Sequence, residues 1–298
     1  MIINSLDTVT LRTHFTEIAL KRYRNFETEF RKTRRNPDAE NLHDLRVATR
    51  RLIAALEFKS SFYPEARYGK VVHILEEFIR PLGKQRDLLL QEDYFQKIIS
   101  GTETGLKYYL EDLQKKIQAN HKEVQQDLAG FNLAKFRRKT HQLPLEWVVP
   151  AALPGEDANP DPLLKVDWKR LIREKLEAVL SLEEKAIVQN NLDSFHKMRI
   201  KLKELRYWLE ILEEVFAFVT RDQLALMHRL QTVMGDIHDR DVWAIGLLKF
   251  SRRIYPEKSG YVNLAEQAVR LRESRRRKYA NFKKLFDQFG KAFSYLQD

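Results

Sequence analysis

Leu42-His43-Asp44-Leu45-Arg46-Val47-Ala48-Thr49-Arg50-Arg51 returns half a chain later as Phe195-His196-Lys197-Met198-Arg199-Ile200-Lys201-Leu202-Lys203-Glu204-Leu205-Arg206-Tyr207. His43, Arg46 and Arg50 follow spacings of 0, 3 and 7; His196, Arg199, Lys203 and Arg206 follow 0, 3, 7 and 10. Each row therefore falls on one face of an α-helix. At about 100° per residue, Leu45, Ala48, Leu52, Ala55 and Leu56 make the main apolar face of the first helix. Met198, Leu205, Leu209 and Leu212 do so in the second.

A second block repeats in the same order. Leu82-Gly83-Lys84-Gln85-Arg86-Asp87 matches Met234-Gly235-Asp236-Ile237-His238-Asp239. The offset is 196 − 43 = 153 for the first block and 235 − 83 = 152 for the second, so one deletion reconciles them. Leu75, Phe78 and Leu82 likewise match Met227, Leu230 and Met234. Two colinear blocks indicate a tandem duplication of a helical bundle.

The 298 residues suffice for two domains of ordinary size. Ten Gly and nine Pro are few, which disfavours a turn-rich all-β fold. Five of the prolines (Pro144, Pro150, Pro154, Pro160 and Pro162) lie in one stretch, so residues 141–166 are expected to be a linker. It would join an N-terminal half, 1–140, to a C-terminal half, 167–298. Helices are expected at 6–34, 39–62, 66–80, 84–100 and 104–128, then 167–190, 193–217, 221–236, 239–252 and 260–296. Asp38, Asp167, Asp193 and Thr220 are candidate N-caps, and Pro37, Pro64 and Pro256 candidate breaks. The fold class is all-α: two tandem antiparallel four-helix bundles.

The formal net charge of +11 points to a polyanionic partner: nucleic acid, an anionic membrane surface or another polymer. The absence of cysteine excludes disulfides and a Cys nucleophile and agrees with a reducing, cytoplasmic compartment. No apolar run is long enough to span a bilayer, and no secretory signal is expected at the start.

A row of charges on a helix is most often a solvated face. Here the row has a second apolar edge: Val47, Ala54 and Phe58 in one half, Ile200, Tyr207 and Ile211 in the other. The strip expected to be most exposed lies elsewhere, at Asp44 and Arg51, or Lys197 and Glu204. The cationic rows are thus expected in a groove or at the junction of the halves. Like charges gathered there call for a compensating anion. Guanidinium matches phosphate oxygens in pairs, lysine supplies a point charge, and histidine gains charge as pH falls. From His196 to Arg206 the row runs about 15 Å, room for several phosphates in sequence.

His238-Asp239 invites a metal reading, but its counterpart Arg86-Asp87 supplies no metal-ligating nitrogen, so no metal or cofactor is expected. His14, His73, His121, His141 and His228 form no constellation and read as surface or packing residues. Glu183-Glu184 and Glu213-Glu214 read as solvated. The run Arg270, Arg272, Arg275, Arg276, Arg277, Lys278, Lys283 and Lys284 occupies one helix, either a solvated face or a further polyanion surface. There is no Gly-rich phosphate loop, His-Glu-x-x-His or nucleophile elbow, and no catalytic residue is expected.

The two His/Arg stretches, with Gly83-x-x-Arg86-Asp87 and Gly235-x-x-His238-Asp239, resemble the CHAD family, the conserved histidine α-helical domain. The resemblance covers nearly the whole chain. It implies two four-helix bundles related by a pseudo-twofold axis, basic residues lining a central cleft, and binding of inorganic polyphosphate. In bacteria it further implies association with polyphosphate granules. The first half departs from the pattern, with Ile53 where the second has Arg206.

The expected function is thus non-enzymatic polyphosphate binding. Arg46, Arg50, Arg199, Lys203 and Arg206 would contact phosphate, with His43 and His196 as titratable donors. Arg51, Arg86 and His238 form a second tier. Rival readings are a nucleic-acid-binding protein, a phosphorelay protein using a helical histidine, and an enzyme acting on polyphosphate. No helix-turn-helix or zinc-finger pattern supports the first. Oligomeric state is open.

Overall fold

A computed structural model of the chain describes residues 8–60, 66–99, 104–140, 166–189, 191–216, 219–254 and 261–296. Among these the fold is all-α. The helices are α1 (Thr8–Arg35), α2 (Ala39–Ser60), α3 (Ala66–Ile98), α4 (Thr104–Gly130), α5 (Leu133–Thr140), α6 (Trp168–Leu180), α7 (Leu192–Phe216), α8 (Arg221–Ile254) and α9 (Tyr261–Ala292). Apart from Val166, the expected linker lies outside the described residues, as do Pro64 and Pro256.

Local chemistry sets most of the boundaries. Asp38 Oδ1 accepts from the Asn41 N–H at 2.8 Å and Asp167 Oδ1 from the Arg170 N–H at 2.9 Å. Thr220 and Gln223 form a reciprocal capping box at 3.2 and 2.8 Å. Asp193 is not the cap of α7: the helix starts at Leu192, and Asn191 Oδ1 accepts from the Ser194 N–H at 2.9 Å.

Two expected breaks do not occur. The expected segments 66–80 and 84–100 are joined in one helix, α3, that runs through Pro81 and ends at Ile98, and 221–236 and 239–252 form one helix, α8. Proline removes a backbone donor and costs about 3 kcal/mol in a helix interior. Tertiary contacts outweigh that here. Phe78 and Leu82 are buried on either side of Pro81. The buried Asn120 of α4 donates to the Pro81 carbonyl and to Gln85 Oε1, both at 3.0 Å.

Two further differences follow from packing. The expected helix 167–190 stops at Leu180 and resumes as a π-helical turn, Glu184–Val188. The buried Tyr279 hydroxyl of α9 donates to the Ala186 and Ile187 carbonyls there. Helix α5 is an addition to the expected set: Asn132 caps it through the Lys135 N–H at 2.8 Å, and Phe136 anchors it.

Among the described residues, three apolar cores hold the fold together. One lies within the first half and joins Phe26 and Phe30 of α1 to α2, α3, α4 and Phe136 of α5. The second joins Leu11, Phe15 and Ile18 of α1 and Phe58 of α2 to α6, α7, α8 and α9. The third joins Phe95 of α3 and Leu106, Tyr109 and Leu113 of α4 to Trp243, Leu247 and Leu271 of the second half. Two of the three cores thus cross between the halves. Glu214 adds a polar tie: it pairs with Lys21 at 3.1 Å and Arg22 at 2.6 Å across α1 and α7, so it is not merely solvated.

Gly246 of α8 marks a close approach in the third core. A Cβ there would lie 2.9 Å from the buried Tyr109 hydroxyl, which accepts from Gln91 Nε2 at 2.6 Å. Gly246→Ala removes a helix-interior glycine, a change that stabilises an open site by up to about 1 kcal/mol. Here it is expected to destabilise by about 1–2 kcal/mol, because overpacking displaces a rigid ring and its hydrogen bond. Thermal unfolding should show a melting point lower by several degrees, with Tyr109→Phe partly restoring it in the double variant. A rise in melting point in the single variant contradicts this account.

Candidate functional site: a cation-lined cavity shared by both halves

The main apolar faces of α2 and α7 are buried as their periodicity requires: Leu45, Ala48, Leu52, Ala55 and Leu56, and Met198, Leu205, Leu209 and Leu212. That burial fixes the rotation of each helix about its axis. Arg46 and Arg50 of α2, Arg199, Lys203 and Arg206 of α7, and Arg86 of α3 then line one cavity of about 640 Å³. His43 stands at its exposed edge. A second cavity of about 710 Å³ shares Arg46, Arg50, Asp239 and Trp243 with the first and adds Arg80, Lys84 and His238. His196 lines neither, but its ring lies 5.2 Å from that of His238, edge to face. The duplicated rows therefore meet across the halves.

The repeated glycines have a shared place. Gly83 and Gly235 lie inside α3 and α8, not at turns, and each lies beside an arginine of the facing row. A Cβ on Gly83 would stand 3.6 Å from an Arg46 Nη, and one on Gly235 4.0 Å from an Arg199 Nη.

The second apolar edge holds in part. Ala54, Phe58 and Ile211 are buried, Val47 and Tyr207 half-buried, but Ile200 stays 49% exposed. The strip expected to be most exposed mostly carries ion pairs. Lys32 pairs with Asp44 at 3.6 Å, Lys175 with Glu204 at 2.5 Å and Arg51 with Glu210 at 3.5 Å. Glu210 also pairs with Arg206 at 3.6 Å and so ties α2 to α7. Arg51 and Arg206 are thus partly occupied by structure, whereas among the described residues Arg46, Arg50, Arg199 and Lys203 make no ion pair. The Arg199 Nε is buried and has no hydrogen-bond acceptor.

This crowding of cations is visible in their acidities. Burial, then Arg199, Arg50, Arg46 and Arg206, push the Lys203 ammonium down to about 6. Burial, then Arg50 and Arg86, lower Arg46 to about 10. His238 is lowered to about 4 by burial, Arg199, His196 and Lys203. His43 and His196 are lowered too, chiefly by burial and then by Arg86 and Arg46, or Arg199 and Lys203. Asp239 is raised by burial and by Asp87, against the pull of Arg199 and Arg86. Neutral imidazole is therefore the resting form at neutral pH, and Asp87 and Asp239 offset the arginines' positive field only in part.

His228 lies outside the expected site, yet it lines the cavity with Thr232, Gly235 and Asp239. Their spacing of 0, 4, 7 and 11 marks one face of α8. That signal is present in the sequence once α8 is read as a single helix. In the basic C-terminal run, Arg275 and Lys278 are structural, pairing with Asp241 at 2.8 Å and Asp236 at 2.5 Å on α8. Arg276, Arg277, Lys283 and Lys284 are exposed.

Comparison with known proteins identifies the family and the fold. The CHAD domain family model matches residues 17–247. The chain is similar to the crystal structure of the CHAD domain from the plant Ricinus communis, with a TM-score of 0.65 at 18% identity, covering 92% of this chain and 91% of that one. It is also similar to PptA from Streptomyces chartreusis, with a TM-score of 0.65 at 13% identity, covering 94% and 99%. At such identities the likeness is one of fold. No curated protein sequence matches significantly.

Proposed function

The chain belongs to the CHAD family, and from that premise we propose that it binds inorganic polyphosphate without catalysis, through the cavity where its two cationic rows meet. One observation carries the reading. Arg46, Arg50, Arg199 and Lys203, from helices in different halves, share a space in which each disfavours the charge of its neighbours. Such a cluster lowers its free energy by taking up an anion. A linear polyanion suits a row of donors better than a single phosphate. Arginine forks would engage paired oxygens, and Lys203 and the histidines would become protonated beside the ligand. Asp87 and Asp239 would orient the neighbouring arginines. The cationic character of the lining supports a binding role. Association with polyphosphate granules in a bacterial cell would follow from it.

The test is titration with long-chain polyphosphate at two salt concentrations, against DNA at equal phosphate and against orthophosphate. The expected result is tight binding to polyphosphate over both, weakening steeply with salt. Equal affinity for DNA would reduce the cavity to a general cationic surface. Phosphate release on incubation would restore the enzymatic alternative, and labelling of His43 or His196 by a phosphodonor the phosphorelay one.

A further inference from the structure

A different basic concavity lies where the C-terminal turn of α1 meets the α4–α5 junction. Its volume is about 590 Å³, and its rim is Arg31, Arg34 and Arg35 of α1 with Arg137 of α5. Phe131 and Leu133 supply an apolar floor. It shares no lining residue with either cavity described above.

Cations in the last turn of a helix offset its dipole, and that alone would account for Lys32, Arg34 and Arg35. Arg137 likewise lies in the last turn of α5, but the dipole effect does not account for two helices bringing their guanidiniums to one space. Nor does it explain the balance of charge. Glu27 is the carboxylate within reach, at 3.6 Å from Arg31 Nη2 and 3.7 Å from Arg137 Nε. Lys32 turns instead to Glu29 and Asp44. Among the described residues Arg34 and Arg35 make no ion pair, and the Arg34 guanidinium stands 5.8 Å from the centre of the Phe30 ring. Four guanidiniums thus face one carboxylate. Asn132, Leu133 and Ala134 at the start of α5 also line the concavity, so the positive end of that helix adds to the field.

We propose that this concavity is a second anion site, taking a compact ligand that carries two or more phosphoryl groups. Guanidinium forks brought from two helices suit phosphoryl oxygens. A phosphoryl group carries up to about two negative charges, so more than one is needed to balance the rim. The volume lies within the range of about 300–1,000 Å³ typical of small-ligand sites. The site does not rest on the polyphosphate reading of the duplicated rows.

Isothermal titration of the full chain with inorganic tripolyphosphate separates the two. Wild type should show two classes of site. The Arg46→Ala, Arg199→Ala, Arg206→Ala variant should keep one class, and the Arg31→Gln, Arg34→Gln, Arg137→Gln variant should lose that class alone. The proposal is overturned if the first variant, folded by circular dichroism, binds no tripolyphosphate, or if the second binds as wild type does. Should the triple glutamine variant lose helicity, Arg34→Gln alone decides: affinity at this class about tenfold weaker supports the site, and unchanged affinity overturns it. Loss of function in the duplicated rows reads out separately, in the alanine variant with long-chain polyphosphate.

Discussion

Replacing Arg46, Arg199 and Arg206 together with alanine is expected to weaken polyphosphate binding by about a thousandfold while leaving the helical signal intact. Each charge-assisted hydrogen bond to phosphate is worth at least about 1.5 kcal/mol, and three give that factor. The salt dependence should flatten as well, by roughly 0.7–0.9 in logarithmic slope for each phosphate no longer neutralised, on the scale known for nucleic acids. The fold should tolerate the change for a structural reason. Arg46 and Arg199 make no ion pair among the described residues, and their crowding opposes folding in the unliganded protein. Arg206 does pair with Glu210, but Glu210 keeps Arg51 as a partner. A variant that is folded and still binds with wild-type affinity would remove the duplicated rows from the site.

Polyphosphate binding near pH 8 is expected to take up about one proton or more per protein, with Lys203 the main acceptor. Its folded-state value of about 6 means that the amine is largely neutral in the empty cavity at that pH. A neighbouring polyanion favours the ammonium form and raises the value. Protons are then bound in the window between about 6 and the liganded value, so affinity strengthens as pH falls through it, by up to about tenfold per unit for one proton. His43 and His196, also lowered, add uptake at the acidic end. Titration calorimetry in two buffers of different ionisation enthalpy measures the proton number directly, and Lys203→Met should reduce it by about one.

The sign for stability is opposite. With a depressed folded value, Lys203 holds a proton in the unfolded chain that the folded chain lacks, between about 6 and about 10.4. Stability of the free protein should therefore rise with pH across that window, and Lys203→Met should flatten the slope. No proton uptake in either buffer, or an unchanged count in Lys203→Met, contradicts this assignment.

Much of the site is legible in the linear order of residues. Helical periodicity fixes which faces of α2 and α7 are buried, and so places Arg46, Arg50, Arg199, Lys203 and Arg206 on a common side. Duplication indicates that the rows belong together. His228 escapes a reading that breaks α8 in its middle, because the break cuts the register linking His228, Thr232 and Gly235 to Asp239. The expected break between 80 and 84 likewise leaves Gly83 outside a helix, whereas it lies inside α3.

Sequence alone determined the all-α class, the duplicated blocks, most caps and the cationic rows, because these depend on spacing within one helix and on side chains a few residues apart. Tertiary structure alone decided the continuity of α3 through Pro81, where burial of Phe78 and Leu82 and the Asn120 hydrogen bonds outweigh local propensity. It alone decided that Arg51 of α2 reaches Glu210 of α7, and that Arg137 joins arginines some hundred residues earlier. Those pairings join helices far apart in the chain, and nothing in local spacing encodes which distant helix a charged face will meet.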